Sequence, residues 1–237
     1  VQEKNRKIAE KVIEYLMRAG RLYRHRELRN FDSCLYFDNV QKRLLPLTGD
    51  EFQSWLADFT GINMSTSIYS FVFDAVKVVA LSGLSTPEIV PEKFWCSRGD
   101  TIYMSCGDGR IVKIGPGKVT VEDNGVDDVL FASGYTLAPW TPTSPEDPFS
   151  SCSLFKDMKL VNGHSLDLLR VWCVSLPANQ PSKPPIVLTG PVGGGKTKTA
   201  GGIFELFGIY PRITKPEENG EIDFWTSMDA GGLLCLD

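Results

Sequence analysis

A glycine-rich segment near the C-terminal end has the residue types and the spacing that bind phosphate groups. Residues 190–197 read GPVGGGKT and fit the pattern G-x-x-x-x-G-K-[ST]. Glycines suit such a loop because backbone N–H groups must turn inward around a polyphosphate, and side chains would block that approach. The pattern predicts nucleotide binding by a continuous set of residues: Gly190, Pro191, Val192, Gly193, Gly194, Gly195, Lys196 and Thr197.

Two side chains at the end of this segment have separate chemical roles. Lys196 supplies a positive charge to the β- and γ-phosphates, and the Thr197 hydroxyl is placed to ligate Mg²⁺. Asp237 follows the apolar run at residues 233–236, and we expect it to hold the same Mg²⁺ through water. A buried strand that merely ends at an acid is the alternative for Asp237. The predicted cofactors are ATP and Mg²⁺.

The loop needs a strand before it and a helix after it. Residues 186–188 are apolar and predict a short strand, and residues 200–207 continue as a helix. A helix that starts at a phosphate loop directs its N-terminal N–H groups towards the anion. The sequence therefore predicts a strand, loop and helix in this order.

The residues before the loop predict an α+β domain. Helical spacing covers residues 4–19 and 66–82, strand patterns at 34–37 and 42–47 form a hairpin, and short strands at 94–131 form a β-meander. Thr48 with Glu51 predicts a capping box at the start of another helix, which Gly61 ends. Gly20 is expected to end the first helix.

Two proline-rich segments divide the chain. Residues 139–148 and residues 177–185 hold four prolines each, so neither segment can form a helix interior or a central strand. We predict an α+β N-terminal domain at 1–138, a proline-rich linker with a helical connector at 139–183, and the start of a P-loop α/β domain at 184–237.

Composition excludes several classes of protein. The chain has 237 residues, 42% of them hydrophobic, and a net charge of −4, which argues against a disordered or fibrous protein. Its six cysteines include no C-x-x-C pair, which favours a reducing, cytoplasmic location. We expect no membrane segment, because no apolar run approaches about 20 residues.

Longer stretches of the sequence resemble a known group of ATPases. Residues 221–237, EIDFWTSMDAGGLLCLD, and the loop GPVGGGKT resemble the ATPase of phage and mobile-element replication proteins. These are primase-helicase type ATPases, related to superfamily 3 helicases and the poxvirus-type primase-helicase, within the AAA+ group. Residues 101–131 also resemble an N-terminal meander that members of this group carry.

The resemblance implies a DNA-replication ATPase that assembles into a ring of identical subunits and moves along or separates DNA strands. DNA and other replication proteins would then be its partners. The family's catalytic acid, polar sensor and arginine finger are expected beyond Asp237, so we assign no catalytic residue and expect little ATP hydrolysis by this chain alone. An AAA+-like domain, truncated at Asp237, is the fold that the resemblance implies for residues 184–237.

Two other functions compete with this interpretation. The chain could be a non-catalytic DNA-binding or oligomerisation module of a replication complex. A small P-loop kinase is disfavoured, because residues 211–223 offer no arginine-rich lid. Primase chemistry is not supported, because the acids of residues 122–128 surround an Asn-Gly turn rather than forming a D-x-D pair on a strand.

A basic cluster near the first helix is a candidate contact for DNA phosphates, with Tyr23 available for stacking. A solvated surface near a helix end is the alternative. Between Lys118 and Lys156 there is no Lys or Arg, so that region should repel DNA and could instead meet a basic partner or a neighbouring subunit. The cluster contains Arg18, Arg21, Arg24, Arg26 and Arg29.

Overall fold

The computed structural model of the chain is an α+β fold with helices and antiparallel sheets. It describes residues 2–27, 33–82, 86–133, 137–156, 158, 160, 162–178, 184–210, 213–214 and 235–236. These residues form two compact units. The first unit is Val1–Glu92, Asp108–Arg110 and Asp123–Gly134, and the second is Lys93–Gly107, Ile111–Glu122 and Tyr135–Asp237.

The first unit is a small sheet with three helices. The strand order is β3-β2-β1-β4, in which β1 is antiparallel to β2 and parallel to β4, and β2 is antiparallel to β3. The elements in chain order are α1 (Gln2–Ala19), β1 (Gly20–His25), β2 (Cys34–Asp38), β3 (Arg43–Pro46), α2 (Asp50–Thr60), α3 (Ser67–Ser82) and β4 (Glu88–Ile89).

The main core of this unit lies between the helices and one face of the sheet. Leu16 of α1, Tyr36 of β2, Phe52 of α2 and Val72 of α3 are fully buried in one cluster. Alternate residues of a strand point to opposite faces, which is why Tyr36 lies in this cluster while Leu35 and Phe37 lie in another. The apolar face of each helix is therefore buried against the sheet.

The opposite face of the sheet is covered by residues 123–133. Leu130 packs there with Leu35, Phe37 and Leu44. The buried Asn124 side chain holds this segment in place, because its Nδ2 donates to the Phe131 carbonyl oxygen at 3.0 Å and its Oδ1 accepts from the Phe131 N–H at 2.8 Å. The buried amide is satisfied in this way by the backbone of a residue seven positions later, which closes the loop between them.

The second unit contains a four-stranded antiparallel meander, several helices and a short pair of parallel strands. The meander has the order β5-β6-β7-β8. The strands of the meander are β5 (Trp95–Arg98), β6 (Thr101–Ser105), β7 (Arg110–Gly115) and β8 (Lys118–Asp123). The elements that follow are α4 (Pro148–Ser151), α5 (Ser153–Lys156), α6 (Gly163–Ser175), α7 (Lys196–Leu206), β9 (Ile213–Thr214) and β10 (Cys235–Leu236). None of the helices in the described ranges combines the length and the apolar character needed to cross a bilayer.

Most of the elements expected before the loop are confirmed. The helices at 4–19 and 66–82, the hairpin at 34–47 and the meander between 94 and 131 are all present. Gly61 ends α2 in the left-handed conformation, with φ of 66°. The local signals were reliable here because each one agrees with the burial of its apolar face.

The predicted capping box is wrong. The N-cap of α2 is Gly49, and no side chain caps the helix. The Thr48 carbonyl oxygen instead accepts from Gln53 Nε2 at 3.3 Å, and the Glu51 carboxylate forms an ion pair with Arg43 of β3. Glu51 therefore joins α2 to the sheet and is not available to the helix terminus.

Gly20 has a role that its predicted position at a helix end did not reveal. It is the first residue of β1 and lies opposite Asp38 of β2. A Cβ atom at this position would overlap the Phe37 carbonyl oxygen and the ring of Tyr36. The absence of a side chain at Gly20 thus allows β1 to approach the hairpin closely.

We expect Gly20→Ala to destabilise the chain by about 2–3 kcal/mol, because the added methyl group meets backbone that cannot rotate away. Gly163→Ala is the matched control, since a Cβ at that helical position meets no atom within 4 Å, and it should change stability by less than about 1 kcal/mol. Urea unfolding followed by circular dichroism measures both. Equal stability of the two variants would contradict the close approach at Gly20.

Candidate functional site

The phosphate-loop segment turns directly into a helix. Gly193 and Gly195 both have φ of 78°, the left-handed conformation that glycine adopts without strain. Gly195 is the N-cap of α7, which begins at Lys196. The loop therefore ends at a helix N-terminus, as the sequence predicts.

Backbone hydrogen bonds give the loop a compact shape. The Gly194 N–H donates to the Pro191 carbonyl oxygen at 3.0 Å, and the Thr199 N–H donates to the Gly195 carbonyl oxygen at 2.8 Å. The first bond closes a turn within the loop, and the second starts the helix. Glycine at 193 and 195 is needed for this path, because other residues rarely adopt its dihedral angles.

The Lys196 side chain folds back across the loop. Its Nζ donates to the Gly190 carbonyl oxygen at 3.1 Å and to the Pro191 carbonyl oxygen at 3.0 Å. The ammonium group is thus held beside the loop by weak, exchangeable bonds to neutral oxygens. Phosphate oxygens carry negative charge and form stronger bonds with an ammonium group than carbonyl oxygens do.

The loop is open to solvent. Residues 191–195 are all exposed, and the Val192 side chain is 101% exposed. Thr197, the second residue of α7, is also exposed. A ligand could therefore reach the backbone of the loop without displacing a packed side chain.

Two apolar clusters hold α7 behind the loop. Ile203 packs with Phe155 of α5 and with Leu169 and Cys173 of α6. The next residue along the helix, Phe204, packs with a different cluster in the same unit, which contains Phe94 and Ile209. The position of the exposed loop is therefore set by buried side chains further along the helix.

The predicted strand at residues 186–188 is not present. Residues 184–190 pair with no strand in the described part of the chain. Ile186 packs instead against the cluster around Ile203, and the Trp172 Nε1 donates to the Pro184 carbonyl oxygen at 2.8 Å. An apolar segment needs a neighbouring strand to become part of a sheet, and here helix α6 lies beside it.

The predicted second metal ligand, Asp237, lies outside the described residues. The two residues before it form β10, which pairs in parallel with β9, Cys235 opposite Ile213 and Leu236 opposite Thr214. The strand expected before this acid is therefore present over residues 235–236. Across the described ranges, no three His, Cys, Asp or Glu side chains are grouped closely enough to hold a metal ion.

The basic cluster is divided by its partners. Arg18 pairs with Glu14 one turn earlier on α1, and Arg24 pairs with Glu88 of β4. Arg26 follows β1, is exposed, and its N–H donates to the Ile89 carbonyl oxygen at 2.9 Å. Arg29 lies outside the described residues. Carboxylates therefore compete with any phosphate for Arg18 and Arg24.

Arg21 differs from these arginines, because its guanidinium lies over an aromatic ring. Its Cζ is 5.5 Å from the centre of the Tyr23 ring, and both side chains line a groove of about 500 Å³ in the first unit. The structure thus brings together the basic and the aromatic residue that the sequence suggested for nucleic acid. The groove is lined by Met17, Gly20, Arg21, Tyr23, Phe37, Asn39, Gly125, Asp128 and Leu130.

Sequence reasoning missed two other polar residues that line this groove. Asn39 follows β2, and Asp128 lies about a hundred residues away along the chain with φ of 59°. A left-handed aspartate is uncommon and favours a functional or structural constraint. No spacing in the sequence links Asp128 to Arg21, because the sheet brings them together.

No family model, curated protein or solved structure matches this chain. The assignment of its function therefore depends on the residues and their geometry.

Burial beneath the loop helix predicts the reactivity of one cysteine. Burial raises the pKa of the Cys173 thiol from 9.0 to about 11, and the nearby Cys152 contributes. The thiolate fraction at pH 8 should then be about a hundredfold lower than for an ordinary thiol. We expect iodoacetamide to modify the half-buried Cys96 and Cys152 first, with mass spectrometry locating the labels. Labelling in guanidinium chloride is the control, and rapid native labelling of Cys173 would contradict the packing of α6 against α7.

Proposed function

We propose that this chain is the nucleotide-binding part of an ATP-dependent DNA helicase or translocase of the phage or mobile-element replication type. The observation that carries the proposal is the loop at residues 190–197. It combines the G-x-x-x-x-G-K-[ST] pattern with left-handed glycines and a helix that begins at Lys196.

The residues of the loop fit a polyphosphate for three reasons. Gly193, Gly194 and Gly195 leave the backbone uncovered, and the helix N-terminus favours an anion. The Lys196 ammonium already lies beside the loop and can exchange its bonds to two carbonyl oxygens for bonds to phosphate oxygens. Together these features support ATP as the ligand of residues 190–197.

Thr197 and Asp237 are the residues that we propose for Mg²⁺. The Thr197 hydroxyl is an oxygen ligand of the kind that Mg²⁺ accepts. Asp237 follows a strand in a parallel pair, and the C-terminal ends of parallel strands are common ligand sites in α/β folds. Bound ATP would supply the free energy for movement along DNA, while these residues bind and orient its phosphates.

The groove beside Arg21 supports contact with DNA. Arg21 can bind a phosphate, while the Tyr23 ring offers a surface on which an unstacked base can lie. The groove combines apolar side chains with a few polar ones, as small binding sites usually do. The ring of identical subunits and contacts with other replication proteins remain part of the same proposal.

A binding or assembly module without nucleotide binding is the competing function. One observation favours it, namely that residues 186–188 do not form the strand that usually precedes a phosphate loop. Nucleotide binding by the loop separates the two functions, because the module requires none.

Lys196→Ala should weaken the binding of a fluorescent ATP analogue in the presence of Mg²⁺ by roughly tenfold or more, because it removes the charge beside the phosphates. Lys198→Ala is the matched control. It removes the same charge from an exposed residue two positions along α7, and its affinity should stay close to that of the wild type.

Fluorescence anisotropy titrations of the three proteins measure this difference. Equal weakening by both substitutions would mean that the analogue responds to general charge, and no saturable binding by the wild type would favour the module.

Arg21→Ala should weaken binding to a single-stranded oligonucleotide about three- to tenfold and should lower the salt dependence of binding, because one phosphate contact is lost. Arg18→Ala removes the same charge from an arginine that is paired with Glu14, so its effect should be smaller. Anisotropy at several salt concentrations tests both variants. Indistinguishable effects would exclude the groove as the specific contact.

A further inference from the structure

Strand β8 forms an edge of the four-stranded meander. The strand order is β5-β6-β7-β8, so β7 lies on one side of β8 and no described strand lies on the other. An edge strand presents backbone N–H and C=O groups that can pair with another chain. Proteins usually protect such an edge with charges, proline or a bulge, and the sequence of β8 determines which partner it can accept.

Two valines are exposed on this strand. Val119 is 65% exposed and Val121 is 47% exposed. Residues two apart on a strand point to the same face, so the two valines form one small apolar surface. Their β-branched side chains favour pairing with a further strand.

The charges of β8 are arranged so that the strand complements itself. Residues 118–122 read KVTVE. When two copies run antiparallel about Thr120, Lys118 of each copy lies opposite Glu122 of the other, and each Val119 lies opposite a Val121. Every residue then meets a suitable cross-strand partner, and no like charges are opposed.

The two charged residues are available for such pairing. Lys118 is exposed and Glu122 is half-buried, and neither forms an ion pair with any described residue. Asp123, the last residue of the strand, is already paired with Lys42. The charges at 118 and 122 therefore have no competing partner in the part of the chain that the structure describes.

We propose that two copies of this chain associate through β8, which pairs antiparallel with β8 of the second copy about a two-fold axis at Thr120. The pairing extends the sheet from four strands to eight across the two chains. One face carries Thr120 of both copies and two ion pairs between Lys118 and Glu122. The other face carries four valines.

The symmetry determines how mutations act. In a two-fold interface each contact occurs twice, so one substitution changes two pairs. Five residues on each side make a small interface, which is typical of a weak and reversible association. The dimer should therefore appear with increasing protein concentration and should not require nucleotide or DNA.

Charge reversal provides the test. Lys118→Glu places two carboxylates opposite each other in both halves of the interface, and Glu122→Lys does the same with two ammonium groups. We expect each variant to weaken the association constant about tenfold or more in sedimentation equilibrium. The double variant Lys118→Glu with Glu122→Lys restores opposite charges, and its association constant should return to within about threefold of the wild type.

A cysteine substitution tests the register independently of charge. Thr120→Cys places the two thiols directly opposite each other at the axis, where the Cα atoms of an antiparallel pair are about 4.5–5.5 Å apart. Mild oxidation should then give a covalent dimer. Val119→Cys is the control and should give little, because its equivalent in the second copy is displaced by two residues along the strand.

Circular dichroism confirms that each variant is folded. A wild-type chain that stays monomeric to about millimolar concentration would overturn the proposal and would leave the edge to a different strand. Single reversals that associate like the wild type, or a double reversal that fails to recover, would also overturn it.

Discussion

The Tyr36 hydroxyl, buried between α1 and the sheet, is the interaction on which the first unit most depends. It donates to the Leu16 carbonyl oxygen at 3.1 Å, and the ring packs against both Phe52 and Trp55 of α2. Burial, with the nearby Asp38 carboxylate, holds the pKa of Tyr36 well above its usual range. The hydroxyl therefore stays neutral where an ordinary tyrosine begins to ionise, and it continues to join α1 to β2 there. Gly20 completes this junction, since any side chain there would meet the same ring.

The proposed nucleotide site follows a different physical rule. Its loop is exposed and is held by few internal bonds, while the helix behind it is anchored by Ile203 and Phe204 in two separate clusters. Gly202 precedes these two residues and lies close to α5. A Cβ atom on Gly202 would come within 2.7 Å of the Leu154 Cδ1. A rigid helix with an open N-terminal loop suits phosphate binding, because the anion meets preoriented backbone groups. Binding then requires little rearrangement of the packed residues.

The two proposed interaction surfaces differ in their electrostatics. Arg21 carries positive charge over an aromatic ring in the first unit. Strand β8 carries one lysine and one glutamate in a self-complementary order, and no Lys or Arg occurs from residue 119 to residue 155. A polyanion is attracted to the first surface and gains little from the second. The surface proposed for DNA and the surface proposed for a second copy therefore differ in charge.

Local signals in the sequence were sufficient for the helices, the hairpin, the meander and the phosphate-loop pattern, since each depends on residues within a few positions of one another. They failed at Thr48, because Glu51 of the expected capping box pairs with Arg43 instead, and at residues 186–188, because helix α6 rather than a strand lies beside this segment. The lining of the groove beside Arg21 and the ion pair of Arg24 were decided only by the tertiary structure. The Glu14–Arg18 pair is four residues apart on α1 and follows from helix spacing, whereas Glu88 reaches Arg24 and Asp128 reaches the groove only through the packing of the first unit. Interactions between residues far apart in the chain depend on that packing, and no spacing in the sequence records it.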